Sequence, residues 1–429
     1  MAGEWQVKRI GDLGQIITGK TPSTKVSEFF DGKHPFITIP DLDGRREIET
    51  SERSLSELGA KAIHTTQLPV GAVMMSCIAT IGKCGITTRP SFTNQQINSV
   101  ICNKDVDHKF LYYSFTQLAA ALDAAGGGGS VYTNVSKSRF SNIQILLPTI
   151  PEQKAIAHIL GTLDDKIELN RQMNKTLEEM VRAIFKSWFV DFLPVRAKMA
   201  ARTQAGGLKP EIAKLFPDSF ENSELGEIPT GWKVGTVGNV ADHPLRGIKP
   251  HEIKSDTPYI ALEHMPRNCI ALSDWVTAEN LESNKFEFKK GEILFGKLRP
   301  YFHKVGVAPV NGVCSTDIVV VVGESMKWFG FVLGHISSTE FVEYTNAGST
   351  GTKMPRTSWI EMARYQIVLP PEPLASAFTA FIQPSVERII ANINETITLA
   401  SLRDVLLPKL ISGELRVRDA ERFLKERGL

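Results

Sequence analysis

The residues Gly14 to Thr21, GQIITGKT, have the G-x-x-x-x-G-K-[ST] spacing of a loop that cradles phosphates. That chemistry needs a buried strand leading into a tight glycine-rich turn, then a helix whose first N–H groups face the anion. Val7, Ile10 and Leu13 supply a short strand ahead of it. Behind it stands Pro22, which steers Thr21 away from helical backbone and removes an N–H, and STKVSEFFDGKHP carries no apolar stripe of helical period. Ile16 and Ile17 place β-branched residues where the backbone must curl. A nucleotide-binding enzyme using Gly14–Thr21 is therefore an alternative reading, not the leading one. Other catalytic signatures are poorer still. G-x-S-x-G and H-E-x-x-H are absent, and no methyl-donor glycine loop precedes an N-P-P-[YF] tetrapeptide. A nuclease-like set from Asp218, Glu252 and Lys254 starts in a linker, and His64, His243 and His303 are expected at the surface.

Binding chemistry is better represented. Several turn segments combine cations, amides and aromatics, the groups that anchor phosphates and read base edges. Lys20, Thr21 and Ser23 lie in TGKTPSTK, with Lys83, Asn94 and Gln95 further along. GGGGSVYTNVSKSR carries Ser130, Tyr132, Thr133, Asn134, Lys137 and Arg139. RGIKP holds Arg246 and Lys249; GKLRPYFHK holds Lys297, Arg299, Tyr301 and Lys304; GSTGTKMPRTS holds Thr350, Lys353 and Arg356. Taken singly, each suits a solvated surface. Recurrence at matching places in two halves of the chain is what singles them out. With a net charge of only +2, any anionic partner must be met by a local patch.

The elements that would position these residues come from an internal duplication. WQVKRIGDLGQI from Trp5 answers to WKVGTVGNVADH from Trp232, and HPFITI from His34 to TPYIAL from Thr257. NQQINSVI from Asn94 answers to STDIVVVV from Ser315, and QILLPTIPEQKAI from Gln144 to QIVLPPEPLASAF from Gln366. A period near 220 is too long for a solenoid and means two similar domains. Each begins with short β-rich runs and ends in a long helical stretch. No proline interrupts Glu152 to Leu193, where Ile156, Leu163, Leu177 and Ile184 form one heptad line and Leu160, Ile167, Val181 and Trp188 the other. Asn170 and Asn174 fall on these lines as register-setting polar residues. Such a helix is about 60 Å long and needs a partner. Ile382, Val386, Ile389, Ile393 and Ile397 supply one, with Pro384 and Pro408 expected to shorten or kink it. One antiparallel pair is the economical arrangement; two separate hairpins are the alternative.

The expected fold class is α+β: two pseudo-symmetric mixed α/β recognition domains separated by a long antiparallel two-helix coiled coil. The expected boundaries are 1–150 and 231–370 for the domains, 151–193 and 371–415 for the helices, 194–230 for a linker and 416–429 for a charged tail. At 429 residues, 42% apolar and 22% charged, the chain suits a soluble protein of several domains. Its longest aliphatic run, Ile318 to Val322, is far short of a membrane span, and MAGEWQVKRIG does not resemble a signal peptide. Five cysteines without a C-x-x-C pair read as reduced thiols of a cytoplasmic protein, with no metal site expected.

These stretches resemble the specificity subunit of a type I restriction-modification enzyme. The resemblance rests on W-x-V-x-x-I-G-D-L…G-K-T-P-S at Trp5–Ser23 and on LLPTIPEQKAIAHILGTLDDKIELNRQMNKTLEEMVRAIFKSWFVDF from Leu146. It also rests on FPDSFENSELGEIPTGWKV from Phe216 and on LRDVLLPKLISGEL near the end. It covers nearly the whole chain, although the second repeat has RGIKP and PEPLASAF where the first has GKTPS and PEQKAIA. The resemblance implies that each domain reads one half of an asymmetric, interrupted site on double-stranded DNA, and that the helices set the gap. It further implies two methyltransferase subunits on the helical core and two ATP-driven translocating nuclease subunits. S-adenosylmethionine, ATP and magnesium would belong to those partners, and this chain would hold no cofactor and no catalytic residue. A duplicated protein–protein adaptor is the remaining alternative.

Overall fold

The computed structural model describes residues 5–125, 135–200, 208–351 and 353–426. It divides into two compact units, residues 1–168 with 398–429, and residues 169–397. The expected boundaries at 150 and 231 are corrected accordingly: each long helix is shared, giving one half to each unit, because its apolar face completes both cores.

In the first unit a five-stranded sheet runs in the order Gly14–Thr18, Ile97–Cys102, Val73–Ser76, Cys84–Thr87, Glu47–Ile48. Its pairings are antiparallel except the last. Val73–Ser76 is buried along its whole length, as a strand covered on both faces must be. Strand alternation sends Val73 and Met75 into the core containing Phe110, Leu111 and Phe115 of the helix His108–Ala125. Met74 goes to the opposite face, with Ile37, Leu42 and Ile97. A second sheet joins Arg53–Leu55, Phe30–Ile37 and Phe92–Thr93, and Gln6–Arg9 pairs with Gln144–Leu147.

The second unit repeats the plan. Ile293–Gly296 is its buried central strand, paired antiparallel with Ile318–Gly323 and Val305–Val307. Ile293 and Phe295 face one core; Leu294, with Ile318 and Val320, faces the other. Lys233–Thr236 pairs with Gln366–Leu369 just as the corresponding strands pair in the first unit. The stretch expected as a linker folds largely into this unit. A short helix, Leu193–Met199, and a hairpin, Phe220–Ser223 with Gly226–Pro229, bury Val195, Phe216 and Ile228.

The two long helices are Ile150–Phe189 and Glu372–Ile411. The first ends four residues before the expected Leu193, at a turn where Phe192 takes left-handed backbone with φ 52°. The second runs unbroken through Pro384, contrary to expectation. Pro384 and Ala380 both lie on the exposed side of the helix, so the carbonyl that loses proline's N–H is open to solvent. Within the second unit the pairing is antiparallel: Asn170 Nδ2 donates to Glu395 Oε2 at 2.9 Å and reaches Thr396 Oγ1 at 3.5 Å, while Asn392 Nδ2 donates to Asn174 Oδ1 at 2.8 Å. A shift of 222 turns the pair Asn170–Thr396 into Asn392–Asn174, so the register contact occurs twice. In the first unit, Asp164 meets Arg403 and Glu152 meets Arg416, again antiparallel. Of the heptad residues, Ile156, Leu160, Leu163, Ile167, Val181, Trp188, Ile382, Val386, Ile389 and Ile393 are buried; Leu177, Ile184 and Ile397 are only partly so. The charged tail is corrected too: Val417–Lys425 is a helix that seats Ala420, fully buried, in the first core.

Candidate nucleic-acid interface

The strand pairings fix which loops meet. In the first unit the strands Gly14–Thr18, Val73–Ser76 and Ile97–Cys102 gather three loops at one end of the sheet: those around Lys20, Ile78 and Gln95. Backbone hydrogen bonds tie them together. Lys20 N donates to Thr93 O at 2.9 Å, Cys77 N to Gln96 O at 2.7 Å, and Val135 N to Cys77 O at 2.8 Å. Side chains add to this: Thr21 Oγ1 donates to Gln95 Oε1 at 2.7 Å, and Asn94 Nδ2 to Gln96 Oε1 at 2.9 Å.

The same framework recurs in the second unit. Lys297 N donates to Asp317 O at 2.9 Å and Thr357 N to Lys297 O at 3.0 Å, the counterparts of the Cys77 and Val135 bonds shifted by 220 to 222. The turn after the central strand carries left-handed backbone at Ala79 (φ 65°) and Gly82 (φ 92°) in one unit, and at Arg299 (φ 51°) and His303 (φ 50°) in the other. Three of these four residues are not glycine, and holding them there costs about 1–3 kcal/mol each, strain of the kind that gathers at functional sites. Ser136 caps the helix Lys137–Asn142, and Ser358 caps Trp359–Ala363, so a short helix leaves the same corner in both units.

The candidate residues distribute unevenly over this framework. Lys20, Ser23 and Lys83 are exposed in the first unit, and Lys137 and Arg139 begin the capped helix beside Cys77. Ser130, Tyr132, Thr133 and Asn134 lie outside the described residues. In the second unit Lys297, Arg299, Tyr301, Thr350, Lys353 and Arg356 come together. Arg299 N donates to Pro355 O at 2.7 Å, Thr350 and Arg356 exchange two backbone bonds, and Tyr301 is half exposed. Three candidates fall away from this group. The guanidinium of Arg246 is paired with Glu292, at the far end of the strand Ile293–Gly296 from Lys297. Lys304, half-buried, donates to the Leu262 carbonyl, and burial lowers its pKa. Lys249 is exposed on the turn after Gly247–Ile248, with its backbone N–H on Glu252. His243 and His303, expected at the surface, are buried; burial lowers both pKa values, and at His243 the nearby Lys297 and Arg246 lower it further.

Sequence reasoning overlooked Asp317, whose carboxylate accepts from Arg356 Nε at 3.1 Å. The signal was present: Asp317 stands in the column of Gln96 when STDIVVVV is laid on NQQINSVI. It also overlooked what holds each sheet to its helices. In the first unit Arg46 Nη2 donates to Asp165 at 2.6 Å, and Tyr113 Oη donates to Asp164 at 2.6 Å. In the second unit Glu178, 5% exposed, accepts from Ile270 N at 3.0 Å and Ala271 N at 3.2 Å.

The phosphate-loop reading is overturned by this geometry. Gly14–Thr18 is a strand, and the next element after Lys20–Thr21 is the single helical turn Ser27–Phe29, too short to present a row of N–H groups. No helix among the described residues is long and apolar enough to cross a membrane.

A repeated loop framework on two mixed α/β units, each completed by paired long helices, defines the class. Residues 2–179 match the family described as Type I restriction modification DNA specificity domain. The chain is 29% identical over 433 residues to the type I restriction enzyme MjaIX specificity subunit of Methanocaldococcus jannaschii, spanning 97% of this chain and 94% of that one. It is 38% identical over 183 residues to the HindI specificity subunit of Haemophilus influenzae, spanning 41% and 39%. Its fold resembles the crystal structure of the type I S subunit from M. genitalium, with a TM-score of 0.54 at 13% identity over 95% of this chain and 96% of that one. Along nearly its whole length the chain is thus similar to a type I restriction-modification specificity subunit, and nothing in these comparisons supports the adaptor alternative.

Proposed function

We propose that this chain supplies the DNA sequence specificity of a type I restriction-modification complex, with each unit reading one half of a bipartite, asymmetric site. The observation that carries this reading is the duplicated corner: one hydrogen-bonded loop framework, built twice, with different side chains on it. A constant frame with variable readers suits two half-sites of unlike sequence. The helices, each about 60 Å long, set the spacer between half-sites and dock two methyltransferase subunits. Two translocating nuclease subunits complete the assembly. Methyl transfer with S-adenosylmethionine, and ATP and magnesium chemistry, belong to those partners; this chain is the non-catalytic subunit.

The test is reconstitution with methyltransferase subunits followed by mapping of the methylated adenines. Replacing residues 1–150 with another recognition domain changes one half-site and leaves the other; a change in both refutes the division of labour. Inserting four residues in register between Lys166 and Thr176 lengthens the helix by about 6 Å and widens the spacer by roughly 2 base pairs. An unchanged spacer in an active assembly removes the ruler.

A further inference from the structure

We propose that Arg356 is a base-reading residue of the second unit, that Asp317 is its positioning residue, and that the base selected is guanine. This rests on the DNA-reading function above and adds to it a residue and a base. Reading a base edge requires a side chain whose backbone does not move, whose head group is held in one plane, and whose donors are still unspent. Arg356 has all three. Its N–H donates to Thr350 O at 2.9 Å, its carbonyl accepts from Thr350 N at 3.0 Å, and Leu298 bridges it from the strained turn. The neighbouring Thr357 N is bonded to Lys297 O. The Nε–H is taken by Asp317 Oδ1 at 3.1 Å, which fixes the guanidinium plane. Neither Nη atom has a partner among the described residues, and the side chain is 49% exposed.

Two parallel Nη donors in a fixed plane match the O6 and N7 acceptors of guanine in the major groove. A phosphate would be a poorer ligand, because the Asp317 carboxylate beside it repels the anion; the exposed Lys353 is better placed for the backbone. Arg299 is not the reader. Its Nε is buried without a partner, and its Nη2 is turned toward the Lys353 carbonyl at 3.4 Å. The first unit has no such device at the equivalent column. Gln96 replaces Asp317 there and is engaged by Asn94, an amide pair with no carboxylate to hold a guanidinium. Guanine selection by this mechanism therefore belongs to one half-site only.

The experiment selects duplexes from a library randomised over both half-sites, using the chain assembled with its methyltransferase subunits. The wild type enriches guanine at one position of the second unit's half. Arg356→Ala loses that preference by roughly 10- to 100-fold, the usual worth of a bidentate pair, and keeps the other half-site intact. Arg356→Lys, which retains charge but not the fork, loses the same preference with a smaller drop in total affinity. Asp317→Asn weakens discrimination by a smaller factor and raises affinity for unrelated duplexes, since it removes a negative charge. An equal loss of affinity across all sequences makes Arg356 a phosphate anchor and overturns the proposal. So does an unchanged guanine preference in Arg356→Ala. Failure of the wild-type complex to select any sequence overturns the DNA-reading function itself.

Discussion

The two units hold their loops in the same way and hold their helices in different ways. At the loop corner, backbone bonds shifted by about 221 residues recreate one geometry from CIATIGK in the first unit and KLRPYFHK in the second, although the second turn is one residue longer. At the helix the solutions diverge. The first unit sends a side chain, Arg46, down from the sheet onto Asp165, beside the Tyr113–Asp164 bond. The second sends a carboxylate, Glu178, up from the helix onto the backbone N–H groups of Ile270 and Ala271. Arg46 and Ile270 are equivalent, since Ile86 N donates to the Arg46 carbonyl at 2.8 Å and Val307 N to the Ile270 carbonyl at 2.9 Å, so one fastening point is worked from opposite sides. What has been kept through divergence is the placement of backbone; the charges that secure it have been free to change owner.

Variants that open one fastening at a time sharpen this contrast. The largest effect is expected from Glu178→Ala, which strands two buried N–H groups. The second unit should lose about 2–4 kcal/mol, read as faster hydrogen exchange across Ile293–Gly296 with the first unit's amides unchanged. Equal loosening of both units would show that the fastenings are not separate. Arg46→Ala is the converse, expected to cost the first unit about 2 kcal/mol in chemical denaturation, because Tyr113, Asp165 and the Gly161 carbonyl lose a buried donor.

Acid should separate the units next. The histidines whose pKa burial lowers, His243, His303 and His335, all lie in the second unit, and His335 is brought down to about 3. A depressed folded value means that the unfolded chain takes up protons first. The stability these residues contribute is complete above the unfolded value near 6.5 and declines as pH falls toward the folded value. Between pH 7 and 5 the second unit should therefore lose about 1–2 kcal/mol more than it does in His335→Gln. Parallel pH profiles for the two proteins would assign the acid response elsewhere. The smallest effect belongs to the helix pair. Asn174→Leu combined with Asn392→Leu should gain about 1 kcal/mol in stability while broadening the preferred spacer, since a buried amide contact fixes register at a cost in stability. A spacer as sharp as the wild type's would show that apolar packing alone sets the register.

How far the sequence disclosed all this follows from the range of the interactions. The duplication, both long helices and most of their buried lines were legible because they are periodic, and periodicity is local. The loop corner was legible in outline because SCIAT and NQQI in the first half stand in the same order as GKLRP and STDI in the second. Its internal wiring was not: Arg356 and Asp317 are 39 residues apart, and they meet because Lys297, just past Ile293–Gly296, is bonded both to the Asp317 carbonyl and to the Thr357 N–H. Glu178 looked like one more solvated charge, since its partners are backbone groups 92 and 93 residues away. Pro384 misled because proline was weighed without knowing which side of the helix faces water. The carboxy-terminal helix was read as a charged tail because charges dominate VRDAERFLK, although Val417, Ala420 and Leu424 recur there at helical spacing.

The sharing of each long helix between two units has a consequence for biosynthesis. Leu399, Leu406, Leu410 and Ala420 belong to the core that the first hundred residues begin. A nascent chain must therefore keep that apolar surface waiting while the other recognition unit is translated and folds. Sealing comes only as the final helix emerges, so a polypeptide cut short after its second recognition unit would carry an open first one.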